Sequence, residues 1–183
     1  MASENKSFLL SGPRVGIRHV TRQDHAELTA LARQSTDLHR PWVPQRDMGR
    51  EAFAEYVARF EGPAHEGFLI CLRRTGGIVG GVNINNIVRG SLQRGTLGYV
   101  AYAPTAGRGY MTEGLGLVLR RAFGELGLHR LEADIQPANT RSSKLVARLG
   151  FRLEGHSPEF QLIDGEWRDH DRWAITRTDR ERP

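Results

Sequence analysis

In APTAGRGYMTEG, residues 103–114, three glycines stand around Arg108: Gly107, Gly109 and Gly114. A glycine inside a helix costs about 1 kcal/mol relative to alanine. A cluster of them therefore requires a left-handed turn, close packing, or a ligand pressed on bare backbone. An apolar run ends just before the cluster, and TEGLGLVLRRAFGELG follows with Leu115, Val118, Leu119, Ala122 and Phe123 on one stripe. Strand, glycine turn and helix together expose free amides at a helix N-terminus, where dipole and hydrogen bonds favour an anion. A second pair, Asn139 and Ser142, lies three residues apart at the start of the helical run ANTRSSKLVARLG and shares a face. Read alone, Asn139 caps that helix and Ser142 suits its first turn.

These residues need elements to position them. RVGIRHV (14–20) alternates as a strand. TRQDHAELTALARQSTD follows as a helix, with Thr21 as N-cap, Asp24 three residues on, and Leu28, Leu31 and Ala32 at helical spacing. HRPWVPQRD is irregular, because Pro41 and Pro44 remove donors and restrict their neighbours. REAFAEYVARF is a second short helix. EGFLICLRR and GGIVGGVNINNIV are two strands joined at Thr75-Gly76-Gly77, and GTLGYVAYA (95–103) is a third, stopped by Pro104. After the glycine helix, HRLEADIQ is a strand, and the next helix ends at Gly150 with Phe151 beyond it, as a glycine C-cap does. FQLIDGEWRDHDRWAI closes the chain as a hairpin turning at Asp164-Gly165. The order β-α-α-β-β-β-α-β-α-β-β predicts one mixed α/β domain over 1–183, with a mostly antiparallel sheet of about seven strands and about four helices.

Composition narrows the class. A chain of 183 residues, 39% hydrophobic and 26% charged, buries a core without disulfides or metals. The start lacks the order of a signal peptide and no run is long enough to span a bilayer, so the cytoplasm is the expected compartment. Cys71, the only cysteine, sits in FLICL as a small core residue without an activating partner. Seven histidines include no His-Glu-x-x-His spacing and no Cys-His cluster, so no metal is expected. The net charge of +5 is spread along the chain and accompanies no nucleic-acid motif. Direct nucleic-acid binding is not the expected primary role, and a phosphate-rich small ligand, or docking near the ribosome, suits that charge equally well.

Three phosphate readings compete for the glycine turn. A P-loop fails, because Gly109-x-x-x-x-Gly114 is followed by Leu115 and Gly116 rather than Lys and Ser/Thr. A dinucleotide turn fits Gly107-x-Gly109, but its third glycine position holds Thr112 and the preceding strands are hairpins. The third reading is the pyrophosphate of coenzyme A.

LGYVAYAPTAGRGYMTEG, LGLHRLEADIQPANTRSSKLVARLGFRLEG and LIDGEWRDH, with NNIVRGS and HRPWVP upstream, resemble the GNAT acetyltransferases over residues 14–176. Within them the chain is similar to the ribosomal-protein-alanine N-acetyltransferase (RimJ/RimL-like) group. The resemblance implies a sheet whose fourth and fifth strands splay to admit acetyl-CoA. Val100, Ala101 and Tyr102 would offer backbone groups to the pantetheine and thioester, and Gly107, Arg108, Gly109, Tyr110, Met111 and Thr112 would wrap the pyrophosphate, mostly through amides. Asn139 would bond the cofactor, and Ser142 would protonate the leaving sulfur. Two positions depart from the broad pattern: Ala106 replaces a usual Gln or Arg, and Met111 a usual Gly or Ala, although the Met matches the subgroup.

Acetyl transfer to an amine needs a neutral amine, a donor for the developing oxyanion and a proton for the thiolate. A backbone amide between Tyr99 and Ala101 suits the oxyanion. Some relatives carry an acid where this chain has Thr96, so no base is assigned; Tyr99 is a candidate relay. Glu113, in the first turn of its helix, reads as a dipole partner. Trp42, Arg89, Asp169 and His170 are candidate acceptor contacts, although Asp169 and His170 also suit pairing across their hairpin. The expected acceptor is the α-amine of a protein, with alanine or serine first as in a ribosomal protein. The alternatives are a small amine (polyamine, amino acid or antibiotic) or an acyl-CoA sensor without turnover. Monomer and homodimer both fit, and the acyl group is left open beyond acetyl.

Overall fold

The computed structural model describes residues 7–44 and 48–181. Residues 1–6, where the sequence lacks the order of a signal peptide, residues 45–47 of the proline-flanked loop, and the last two residues lie outside them. All strands join one eight-stranded sheet in the order β1-β2-β3-β4-β5-β6-β8-β7. These are β1 (Leu10–Ser11), β2 (Val15–His19), β3 (Glu66–Leu72), β4 (Ile78–Val88), β5 (Arg94–Ala101), β6 (Arg130–Ile135), β7 (Arg152–Ile163) and β8 (Glu166–Thr176). The strand beyond the expected seven is β1, two residues long and paired with Ile17 and Gly16 of β2. Too short to carry a periodic pattern, it left no signal in the sequence.

The helices are α1 (His25–Gln34), α2 (Thr36–His39), α3 (Arg50–Ala58), α4 (Tyr110–Phe123), α5 (Thr140–Arg148) and α6 (Arg177–Glu181). The first predicted helix is broken into a 3₁₀ turn, α1 and α2. Thr21 does mark its start: the Asp24 carboxylate accepts from the Thr21 amide at 2.8 Å and from its hydroxyl at 3.0 Å. Asp24 also takes both Arg18 nitrogens, at 2.9 and 2.8 Å, so the helix start is bolted to β2 through a buried ion pair. Gly150 ends α5 at φ +92°, with its amide on the Ala147 carbonyl (3.1 Å) and Phe151 buried beyond it, as expected. Asp164 and Gly165, at φ +48° and +86°, form the β7–β8 turn.

Two cores lie on opposite faces of the sheet. Leu115, Val118, Leu119 and Ala122 of α4 pack with Ile70, Ile84, Leu131 and Val146 on one face. Val20, Leu28, Phe53, Leu69 and Ile78 form the other, under α1 and α3. Cys71 is fully buried there, and burial pushes its thiol up to about 11, so it is inert at neutral pH.

Six of the seven strand joints are antiparallel, and β5 with β6 is the parallel exception. It pairs only at Arg94–Arg130, Gly95–Leu131 and Thr96–Glu132. Beyond Thr96, β5 runs on to Ala101 beside β4, whereas β6 runs on to Ile135 beside β8. The sheet therefore opens at this joint.

Candidate active site

The opening is lined by backbone as well as side chains. The Tyr102 amide donates to the Val79 carbonyl at 3.1 Å, which makes Gly80–Ala101 a pair without mutual hydrogen bonds. The amide and carbonyl of Ala101, and by alternation those of Tyr99, point away from β4 into the gap. One expected contact is corrected here. Tyr102 is only 7% exposed, belongs to the α1-side core and does not line the cleft, and its amide is spent on the Val79 carbonyl.

The glycine cluster sits beside this gap and has two separate causes. Gly107 and Gly109 stand at φ +77° and +78°, the second as the left-handed N-cap of α4. Gly114 is there for contact, since a Cβ at that position would overlap Ile70 of β3. Among the described residues, the amides of 107–112 meet no acceptor. They form a concave row at a helix start, with Arg108 beside it. Glu113 is committed elsewhere: its carboxylate accepts the amides of Arg14 (2.7 Å) and Val15 (3.0 Å) and the Arg14 Nε (2.9 Å). Burial alone would raise its pKa, but these donors together hold it below the ordinary carboxylate value. Arg14 also donates to the Arg108 carbonyl at 3.0 Å, so the turn is tied to β2.

Across the gap, α5 presents Arg141, Lys144 and Arg148 to the same cleft. Their spacing of three and four residues sets them on one helix face, a signal present in TRSSKLVAR that sequence reasoning passed over. With Arg108 they give this end of the cleft a cationic wall suited to several phosphates. Asn139 does cap α5, its side-chain oxygen accepting the Ser142 amide at 3.2 Å. The Ser142 hydroxyl lies 2.6 Å from the Tyr99 hydroxyl, inside the cleft. Burial pushes the Tyr99 phenol up to about 12, against a smaller downward pull from its Ser142 bond. Tyr99 is therefore a neutral proton donor at physiological pH.

The far face of the gap carries the acceptor-side candidates. Trp42 lines the cleft, and its carbonyl and that of Pro41 accept from Gln136 Nε2 at 3.2 and 3.1 Å. His170 also lines it, only 2% exposed, with Nδ1 on the Arg168 carbonyl at 3.0 Å. Asp169 does not reach the cleft: it accepts the Glu159 amide at 2.8 Å and faces His156 across the hairpin at 3.4 Å. Arg89 is likewise displaced, since its guanidinium caps the Leu126 carbonyl outside the cleft. A loop arginine's reach is set by the helix end it happens to meet, which the sequence does not encode locally. The cleft carboxylates Glu132 and Asp134 are held by arginines, Glu132 by Arg94 and Arg130 and Asp134 by Arg172, whose guanidinium also lies 4.3 Å over Phe160. His39, not singled out by any motif, lines the cleft with Nε2 2.8 Å from the Ala101 carbonyl. No group of three or more His, Cys, Asp or Glu able to hold a metal occurs among the described residues. No helix among them is long and apolar enough to cross a membrane.

A sheet opened at one parallel joint, with an anion-binding turn on one lip and hydroxyls inside, can hold a long phosphorylated thioester. Its acyl end then faces an acceptor on the opposite side, which is the layout of an acyltransferase. The chain belongs to the acetyltransferase (GNAT) domain family, whose model matches residues 14–152, and it is an N-acetyltransferase of that family. It is 32% identical to the [ribosomal protein uS5]-alanine N-acetyltransferase of Escherichia coli (strain K12), over 93% of this chain and 91% of that one. RimJ of Mycobacterium smegmatis, solved in complex with CoA-disulfide, superposes with a TM-score of 0.84 at 29% identity, over 92% of this chain and 87% of that one. Spermidine N-acetyltransferase from Vibrio cholerae, in complex with CoA and spermine, superposes at 0.81 with 18% identity, over 93% and 100% of the two chains, and so shares the fold.

Proposed function

We propose that this enzyme transfers acetyl from acetyl-CoA to the N-terminal α-amine of a protein, with alanine or serine first, as in a ribosomal protein. The likeness to the uS5-alanine enzyme over nearly the whole of both chains carries this reading. Acetyl-CoA would supply an activated acyl group as a thioester. The amides of 107–112 with Arg108 would hold its pyrophosphate, and Arg141, Lys144 and Arg148 are placed for its remaining phosphate. The open amides of Tyr99 and Ala101 stand where an oxyanion would develop. Either hydroxyl of the Tyr99–Ser142 pair can donate, and with Tyr99 as the donor the Ser142 hydrogen would be free to pass to the departing sulfur. Trp42 and His170 form part of the acceptor wall.

Ser142→Ala is expected to lower kcat about 10²-fold with little change in acetyl-CoA affinity. Single-turnover kinetics beside calorimetry check it, and full activity would return Ser142 to its place in the helix.

A polyamine is the rival acceptor, and the cleft's charge argues against it. Eight arginines and lysines line the cleft against three carboxylates, of which Glu132 and Asp134 are bound to arginines. A polycation would gain little there. Arg172→Ala uncovers Asp134, so the variant should bind spermidine about fivefold better than wild type, the scale of one partly exposed ion pair. Competition against a peptide acceptor measures this. The test of the function itself is acetyl-CoA turnover on a panel of Ala- and Ser-first peptides, spermidine and free amino acids. Turnover confined to small amines would replace the reading, and binding without turnover would make the protein a sensor.

A further inference from the structure

We propose that His39 is the general base of the reaction, taking the proton of the acceptor ammonium on Nδ1. The α1–α2 corner is fixed to the end of β5 at two points. The Ser35 hydroxyl accepts the Ala103 amide at 2.9 Å, and His39 Nε2 meets the Ala101 carbonyl at 2.8 Å. That carbonyl is one of the groups turned into the gap, so the ring stands beside the strand that would lie along the thioester arm.

A carbonyl only accepts, so Nε2 carries the hydrogen, and the neutral ring keeps its lone pair on Nδ1. Among the described residues no donor meets Nδ1. Protonation at Nδ1 leaves the Nε2 bond intact, so the ring cycles between states without moving. The charged and titratable groups around it are Asp37 and Arg40 on its own segment, the Tyr102 ring at 5.9 Å, and Asp134 with Arg172 on β6 and β8 across the cleft.

The other candidates are occupied or mismatched. Glu132 and Asp134 are ion-paired, Glu113 is spent on β2, and Tyr99 is a neutral phenol. Asp37 lines the cleft, but a carboxylate is a weak base for an ammonium, whereas an imidazole is the side chain most often used for this task.

The step balances. The ammonium gives one proton to Nδ1, and the freed nitrogen lone pair forms the C–N bond as the C–S bond breaks. The sulfur takes the Ser142 proton, and the nitrogen's second proton restores that hydroxyl through Tyr99 or water. The Nδ1 proton leaves to solvent, so one proton is released per turnover. This rests on the amine-acetylation reading but not on which amine is the acceptor.

His39→Gln keeps an amide donor for the Ala101 carbonyl and removes the base. The wild type is expected to keep most of its kcat/KM for an α-amine peptide at pH values where that amine is still protonated, because Nδ1 takes the proton. In the variant only the already neutral amine reacts, so the acid limb moves up to the amine's own value of about 7.7–8.0. The loss is about tenfold at pH 6.5 and vanishes above pH 9. Acetyl-CoA affinity, read by calorimetry, stays unchanged and certifies the fold. A loss equal at every pH would make His39 a positioning residue and overturn the proposal. A limb unmoved in His39→Gln but shifted in His170→Gln would overturn it in favour of His170. The profile is run on whichever panel amine the wild type acetylates, so failure of the N-terminal reading leaves this test intact.

Discussion

Gly109→Asp is expected to raise the acetyl-CoA dissociation constant about a hundredfold or more while the domain stays folded. Two effects combine. At φ +78° any side chain carries a left-handed cost of roughly 1–2 kcal/mol, least for Asn and Asp. The new carboxylate also stands at the row of free amides that would receive the pyrophosphate, replacing attraction with like-charge repulsion. The fold tolerates the change, because the nearest atom to a Cβ there is the flexible Arg14 Nη2 at 3.4 Å, and an aspartate N-cap favours α4. Gly109→Ala separates the effects, since it adds the backbone cost without the charge and should weaken binding far less. Calorimetry on both variants reads the result, and an unchanged constant in folded Gly109→Asp would remove the phosphate from this turn.

The turn was readable because glycine, arginine and a helix start are local features. The same holds for Asn139 as a cap, Gly150 as a helix stop and Asp164-Gly165 as a hairpin turn, each a matter of a few adjacent residues. What the sequence hid is what two distant segments decide together. Gly114 looked like its neighbours in the cluster, yet its cause is Ile70 on a strand 44 positions earlier. Tyr102 reads with its neighbours as a cofactor contact, whereas its ring lies in the α1-side core and its amide on the Val79 carbonyl. Asp169 and Arg89 carried suitable charges, but Glu159 and Leu126 took them. His39 became visible only when α2 was laid against β5, 62 residues away. The helical face of Arg141, Lys144 and Arg148 could have been read from spacing, had charge been followed along α5 as closely as apolarity was.

A peptide offering one free α-amine and one lysine should be acetylated on the α-amine by a margin of about 10²–10³. Thr96 cannot accept a proton, and arginines neutralise Glu132 and Asp134. The protein therefore brings no strong base to the amine. An α-ammonium at about 7.7–8.0 is roughly one-third deprotonated at pH 7.5, whereas a lysine at about 10.4 is neutral in only about 0.1% of molecules. That gap is worth about 3.5 kcal/mol before any bond forms. A base such as an imidazole does not close it, because the lysine holds its proton about 2.5 units more tightly than the α-amine whichever group receives it. Mass spectrometry of the singly acetylated peptide, with fragments assigning the site, measures the ratio directly. Raising the pH from 7 to 9 should shrink the lead, since the α-amine is then already neutral while the lysine still gains. Dominant ε-acetylation at pH 7 would show that proton loss does not select the acceptor and would defeat the N-terminal reading.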